Sequence, residues 1–385
     1  PILLPFLVLI CATALFAGAL NVHGRFFVPA FAPVVLNICW IGAVGVAVFI
    51  SSDPQTQVLI VAGGVVLGGT LGLVHQVLAL RGALRGTTAS WRPTIDWRDD
   101  RLREIGRRMG PTILGLGLLQ VSVLLDSLFA ELFVPGDGAV SALYFGNRLM
   151  QFPLALIGVA LGIAVFPLLA RYAVDENRTG FADALRSCTR LTGFLALPAA
   201  AALIVLSEPI IAAMFGWGAF DQAAIDRTSL VVAAYAVGVI AASIRSLQSR
   251  AFYALDDTKT PTRIALGALG ANVVLNLILV HTPLQEAGLA LSTALTTWLS
   301  SLWMARTLRA RLRPESSQST VRTLIRHLAG WWRSLLATAV MITTLIGLGT
   351  ALESWLGADW TRGSLGLRGF GLGTLVLAGT LTYLG

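Results

Sequence analysis

Residues 144–162 read YFGNRLMQFPLALIGVALG. They lie inside an apolar run from about Val140 to Ala170, and a bilayer-spanning helix needs roughly 20 such residues. Yet the run carries Asn147, Arg148 and Gln151 near its start, and then Pro153. An ionisable group at mid-membrane costs at least about 2.5–3.5 kcal/mol on insertion scales, so it faces a cavity, a partner or the interface. Proline bends a helix by removing a backbone donor. Small residues such as Gly158, Ala160 and Gly162, which precede Pro167, let another helix approach closely. A bent, closely packed, polar-lined helix suits a moving transporter lobe, and it is also common in inert bundles.

Outward from this stretch the apolar runs recur. The 385 residues are 56% hydrophobic and 12% charged, where a soluble chain has about a quarter charged. Eleven runs of membrane length are predicted, roughly 1–20, 28–50, 57–80, 109–134, 140–170, 188–207, 228–253, 262–281, 286–307, 334–352 and 366–385. They do not alternate polar and apolar residues as barrel strands do. The fold class is therefore an all-α polytopic membrane protein in a lipid bilayer.

The formal net charge is +8. One set of connections carries nearly all of the arginine and lysine, including Arg81 to Arg108, Arg171 to Arg186, Arg250 to Arg263 and Arg306 to Arg333. The opposite set includes SSDPQTQ (51–57), VPGDGA (134–139) and HTPLQE (281–286), with no lysine or arginine. This asymmetry places the basic loops in the cytoplasm and accounts for the charge without a nucleic-acid partner. It also runs the first helix from outside to inside. If the N-terminus is cytoplasmic, an odd number of spans precedes Pro1, so the chain reads as N-terminally truncated.

Two basic stretches divide the chain. Residues 83–107, amphipathic and aromatic, suit a cytoplasmic linker on an anionic leaflet. They separate a transmembrane lobe over 1–82 from a second over 108–310. A further linker, 311–330, sets off two last helices over 331–385. Residues 208–227 suit a short helix at the outer interface.

No catalytic motif of the GxSxG, HExxH or P-loop kind is present, so the reading is of a non-enzyme. Cys11, Cys39 and Cys188 form no CxxC pair, and neither a metal site nor a cofactor is expected. The polar residues within the spans are the informative ones. Arg148 offers a fork of donors that fits phosphate or carboxylate. Its spacing leaves it evenly balanced between an anion site in a cavity and an interfacial anchor or partner of Asp126. Asp126, mid-span in LGLLQVSVLLDSLFAELF, suits a cation or proton site, or a counter-charge. Gln120, Asn272, Asn276 and Asn37 suit hydrogen bonds between helices. Arg245 and Arg250 lie toward the inner end of their helix.

Five segments taken together resemble the MurJ/MviN family of lipid II flippases, within the multidrug/oligosaccharidyl-lipid/polysaccharide exporter superfamily. They are RFFVPAFAPVVLNI (25–38), RRMGPTILGLGLLQVSVLLDSLFA (107–130), GNRLMQFPLALIGVALGIAVFPLLAR (146–171), MFGWGAFD (214–221) and AFYALDDTKTP (251–261), in that order. The resemblance implies a two-lobe exporter fold of fourteen helices, of which about eleven are visible here. It implies lipid II, the undecaprenyl-pyrophosphate-linked peptidoglycan precursor, as substrate, moved from the inner to the outer leaflet of the bacterial plasma membrane by alternating access. It carries an essential cavity arginine onto Arg148 and a substrate-contact position onto Asn147, which is often acidic in the family. It carries a sodium site onto Asp126, with sodium or proton coupling in place of ATP. Arg25, Pro29, Pro33, Asn37, Pro153, Gly158, Gly162, Pro167 and Pro261 are motif positions with structural roles. The cell-wall synthesis machinery is the expected partner. The competing readings are an exporter of other lipid-linked oligosaccharides or drugs, a membrane enzyme acting on polyprenyl lipids, and a transport-dead cell-wall scaffold.

Overall fold

A computed structural model describes residues 2–84, 100–312, 332–357, 360–363 and 365–384. The described residues are helical throughout, without strands. Most of the 83–107 linker and nearly all of the 311–330 linker lie outside them. The last residues of the first, 100–107, belong to a helix. Contacts divide the chain between residues 99 and 100 into two compact units.

The first unit holds α1 (Leu4–Val22), α2 (Phe27–Ile50) and α3 (Pro54–Leu84). Helix α1 stops where Gly24 takes φ 71°, so that Arg25 N–H reaches back to Leu20 O at 2.9 Å, a turn in which glycine avoids a Cβ clash. Helix α3 starts with Pro54, whose missing N–H is no loss in a first turn. Asp53 accepts from Thr56 N–H at 2.9 Å and from its hydroxyl at 2.7 Å, and these bonds hold the carboxyl below its ordinary pKa. Along α3, Gly64, Gly68 and Gly72 face Ala43, Leu36 with Cys39, and Ala32. Four-residue spacing puts these glycines on one face, and α2 lies directly against it.

The second unit begins with α4 (Asp100–Phe133). The 140–170 run forms one bent span, α5 (Ala139–Pro153), a π-helical turn (Leu154–Val159) and α6 (Ala160–Val174). The π turn follows Pro153 directly. Proline crowds the carbonyl four residues earlier and cannot donate to it, and widening the next turn relieves both defects. Gly146, Gly158 and Gly162 on this span sit against Val231, the Cα of Ser243 and the side chain of Arg250. These three neighbours all lie on the long helix α9 (Gln222–Ala254). Two more helices intervene, α7 (Arg178–Val205) and the short α8 (Ser207–Phe215). The latter begins one residue before the 208–227 segment predicted to carry a short helix and covers its first part.

Helix α9 is the centre of this unit, the helix against which most of the others pack. Asp221 caps its start, accepting from Ala224 N–H at 2.9 Å. Around it pack α5 to α8 and α11 (Gln285–Arg311), with α10 (Lys259–Leu279) against α11 and α4. The final elements are α12 (Trp332–Leu356), a 3₁₀ turn (Trp360–Arg362) and α13 (Leu365–Leu384). They pack on α7 and α8 through Leu345, Trp360 and Leu375. Tyr383 donates its hydroxyl to Phe194 O at 2.6 Å, and buried Arg368 donates to Ala212 O and Gly216 O at 2.8 and 3.0 Å. That arginine supplies donors to the carbonyls a helix end leaves open.

Eleven helical spans correspond to the eleven predicted runs. Among the described residues, nine of them are long and apolar enough to cross a membrane. Helix α11 falls outside that set because Ser292, Thr296, Thr297, Ser300 and Ser301 occupy its buried side.

Candidate functional site

Two polar places stand within the spans of the second unit. The first is built on Asp126 of α4, which is 6% exposed. Asn276 of α10 donates its amide to Asp126 Oδ1 at 2.7 Å, and Thr293 of α11 donates its hydroxyl to Oδ2 at 3.0 Å. A second layer orients these donors. Ser292 donates its hydroxyl to Asn276 Oδ1, and Asn272 donates to Ser292 Oγ and Thr293 Oγ1 at 3.1 and 3.2 Å. Asn272 and Asn276 sit one turn apart on α10, hence on one face. Among the described residues no basic side chain pairs with the carboxylate. A buried carboxylate held only by neutral donors keeps its charge uncompensated, which is costly. It therefore favours a bound cation or proton.

The oxygens present are a carboxylate, two amide carbonyls and two hydroxyls, a hard-oxygen set suited to an alkali or similar cation rather than a soft metal. Among the described residues no cluster of three or more His, Cys, Asp or Glu is present. Of the residues singled out in the sequence, Asp126, Asn272 and Asn276 meet here. Ser292 and Thr293 carried no sequence signal beyond a hydroxyl-rich helix.

The second place is the face of α5. Arg148 is exposed and donates to the Tyr144 hydroxyl at 3.2 Å, with its guanidinium carbon 5.2 Å from the centre of the same ring. Arg148 is not a partner of Asp126, one of the pairings the spacing left open. Tyr144 is 55% exposed, so the pair presents an aromatic face and unspent N–H donors together. Its spacing of four from Arg148 is a legible signal of contact.

Asn147 points elsewhere. One residue further around the helix, it accepts from Gln151 Nε2 at 2.5 Å and lies toward the buried Tyr235 of α9. It ties α5 to α9 and makes no contact with Arg148. A neutral side chain suits that role, because a carboxylate in its place would add a second buried charge near Asp126.

Two other basic residues, Arg227 and Arg311, are committed to structure. Arg227 donates to Glu286 Oε1 and to Asp137 O at 2.6 and 2.8 Å, fastening the starts of α9 and α11 to the α4–α5 turn. At the other end of α11, Arg311 pairs with Asp257 at 2.6 Å and donates to Thr260 Oγ1 at 3.2 Å. Burial pushes the Asp257 carboxyl up, but hydrogen bonds from Thr260 and the charge of Arg311 outweigh it and hold the group below its ordinary pKa. Pro261 is buried beside this turn. Arg250 lies along Gly162, and Arg245 is half-buried on α9. In the first unit Arg25, Pro33 and Asn37 are exposed and Pro29 is half-buried. Pro167 is exposed on α6.

An all-helical chain of membrane-length spans, with a buried carboxylate among neutral donors and an exposed arginine on a membrane helix, has the makeup of a polytopic membrane protein. The model of the lipid II flippase MurJ family matches residues 1–371, and the chain belongs to that family. It is 33% identical to a lipid II flippase MurJ of Burkholderia cenocepacia over 80% of this chain and 59% of the relative. It is 30% identical to a probable lipid II flippase MurJ of Vibrio cholerae over 99% of this chain and 70% of the relative. The chain thus spans well under the full length of these relatives. Among solved structures, a lipid II flippase MurJ in an inward closed conformation superposes with a TM-score of 0.73 at 22% identity, over 99% of this chain and 71% of that one. An inward-facing multidrug resistance MATE family transporter of the MOP superfamily gives a TM-score of 0.68 at 15% identity, over 82% and 72%. These two show the exporter fold.

Proposed function

We propose that this chain acts in moving lipid II from the inner to the outer leaflet of a bacterial plasma membrane by alternating access, delivering it to the cell-wall synthesis machinery. Family membership supports the substrate, and one observation carries the assignment of a contact residue. Arg148 is exposed on a membrane helix, with one neutral hydrogen-bond partner and donors to spare. A guanidinium in that state suits the pyrophosphate of a polyprenyl-linked substrate, whose oxygens match its fork. Asn147 serves by keeping α5 against α9, so that Arg148 is presented from a fixed face.

The basic loops lie in the cytoplasm, as the positive-inside bias requires. Asp126 is the coupling carboxylate. Asp126, Asn272, Asn276, Ser292 and Thr293 would hold a sodium ion, whose charge would neutralise the carboxylate. Turning the Asn276 amide over would present its oxygen where its N–H now donates. A proton on Asp126 is the other way to neutrality, and whether melting of the unaltered protein follows sodium or pH separates the two.

The test replaces Arg148 by alanine in the protein expressed from its intact gene, in a strain depleted of its own flippase. Loss of complementation at normal membrane levels is expected. Full complementation at those levels would overturn the role given to Arg148.

A further inference from the structure

The membrane-facing side of the α10–α11 pair carries a feature that the flippase reading does not use. A groove of about 730 Å³ runs along the last turns of α11, lined by Leu299, Leu302, Trp303, Arg306, Thr307 and Ala310. Its upper wall is apolar, and its inner end is basic.

Two contacts set the register of α10 against α11. The Trp303 ring lies on Gly267, within 3.1 Å of where a side chain there would begin, and Arg311 reaches Thr260 at 3.2 Å. Antiparallel helices with these pairings place residue 263 opposite residue 307. One turn beyond the tryptophan, Arg263 and Arg306 therefore stand at the same level on neighbouring helices. Lys259 and Arg309 follow within the next turn.

These four cations are exposed and make no hydrogen bond or ion pair among the described residues. The nearby carboxylate of Asp257 is already taken by Arg311 and by the start of α10. Exposed Asp256 is the only other acid in that turn. The local charge is strongly positive, at the end that the loop asymmetry puts in the cytoplasm.

We propose that this groove is a binding site for an anionic phospholipid of the inner leaflet. Arg263 and Arg306 hold the headgroup phosphate from two helices, as paired guanidinium groups hold oxyanions. Trp303 sits at the interfacial level, where its ring is favoured. Gly267 leaves room for the edge of that ring against α10. One acyl chain follows Leu302 and Leu299 toward the bilayer centre. Charge complementarity selects this occupant. A neutral lipid would leave the arginines unmatched, and a docked apolar helix would bury them.

The site rests on the orientation taken from loop charge and not on the lipid II assignment, and its test reads lipid retention rather than transport. The protein from its intact gene is purified from mixed phosphatidylglycerol and phosphatidylcholine, and retained lipids are counted by native mass spectrometry. The unaltered protein retains phosphatidylglycerol in preference by roughly tenfold, in line with two charges acting near an anionic surface. Arg263→Gln with Arg306→Gln reduces that preference to about twofold or less, and Gly267→Leu, which displaces Trp303, weakens retention of both lipids. The double substitution Arg171→Gln with Arg178→Gln removes equal charge from another inner turn and leaves the preference intact. Equal retention by the Arg263/Arg306 variant, or an equal loss in the Arg171/Arg178 variant, overturns the site. So does an efficient disulfide between two copies of Trp303→Cys, which would assign the groove to a second copy of the chain.

Discussion

Arg148 and Arg227 stand on the same side of the second unit and are treated in opposite ways. Arg227, at the start of α9, is neutralised by Glu286, which is 4% exposed, and by a loop carbonyl. Arg148, some two turns into α5 from Ala139, is exposed and held by one tyrosine. The first charge is spent inside the protein and fastens three segments. The second keeps donors unspent, the state that the proposed pyrophosphate contact requires. Asp126 is the mirror case, a buried carboxylate with donors around it and no basic side chain paired with it among the described residues.

Substitutions break or sharpen this contrast. Arg148→Ala should cost about 2–5 kcal/mol in lipid II affinity, the range for truncating one partner of a hydrogen-bonded charge pair, and should leave the melting temperature in detergent nearly unchanged. Glu286→Ala should do the reverse. It leaves Arg227 unpaired and should lower stability by about 3 kcal/mol, at the low end for a broken buried pair because Arg227 is partly exposed, with lipid II binding preserved. A large stability loss in the Arg148 variant would erase the distinction between them.

Asp126→Asn keeps hydrogen bonding possible and removes the charge. Folding should change by about 1 kcal/mol, and any dependence of transport or melting on sodium or pH should vanish. Retained cation dependence would move the coupling site elsewhere. Asn147→Ala should cost about 1 kcal/mol of stability through the lost links to Tyr235 and Gln151, with much less effect on affinity than Arg148→Ala.

Asp257→Asn should have the smallest effect. The folded protein holds this carboxyl below its ordinary pKa. Its contribution is therefore present above the unfolded value of about 4 and is lost as pH falls through the lower folded value. The variant should be slightly less stable than the unaltered protein at neutral pH and equal to it well below pH 4 in urea titrations.

Much of this was legible in the sequence. Runs of membrane length gave away the helices, since a chain in lipid must satisfy its backbone within each segment. Asp126 and Arg148 stood out because charge is rare in such runs. The break at Pro153 was legible, but its form as a π turn was not, because proline disturbs the helix without fixing which widened geometry the chain adopts. Asn272 and Asn276 read as ordinary interhelical links. Their place beside Asp126 needs three helices brought together, over a separation of 150 residues between Asp126 and Asn276.

The sequence by itself determined which segments enter the bilayer, which loops are basic and which few charges lie within the spans. Those follow from the local cost of moving each residue out of water, which depends on residue type and not on neighbours. Only the tertiary structure decided what each charge is for. It gave Arg227 to Glu286, left Asp126 with neutral donors, turned Asn147 toward Tyr235 and set Arg148 on an exposed face. Partners of that kind are chosen by helix packing, which brings distant residues within hydrogen-bonding reach and which no local pattern encodes.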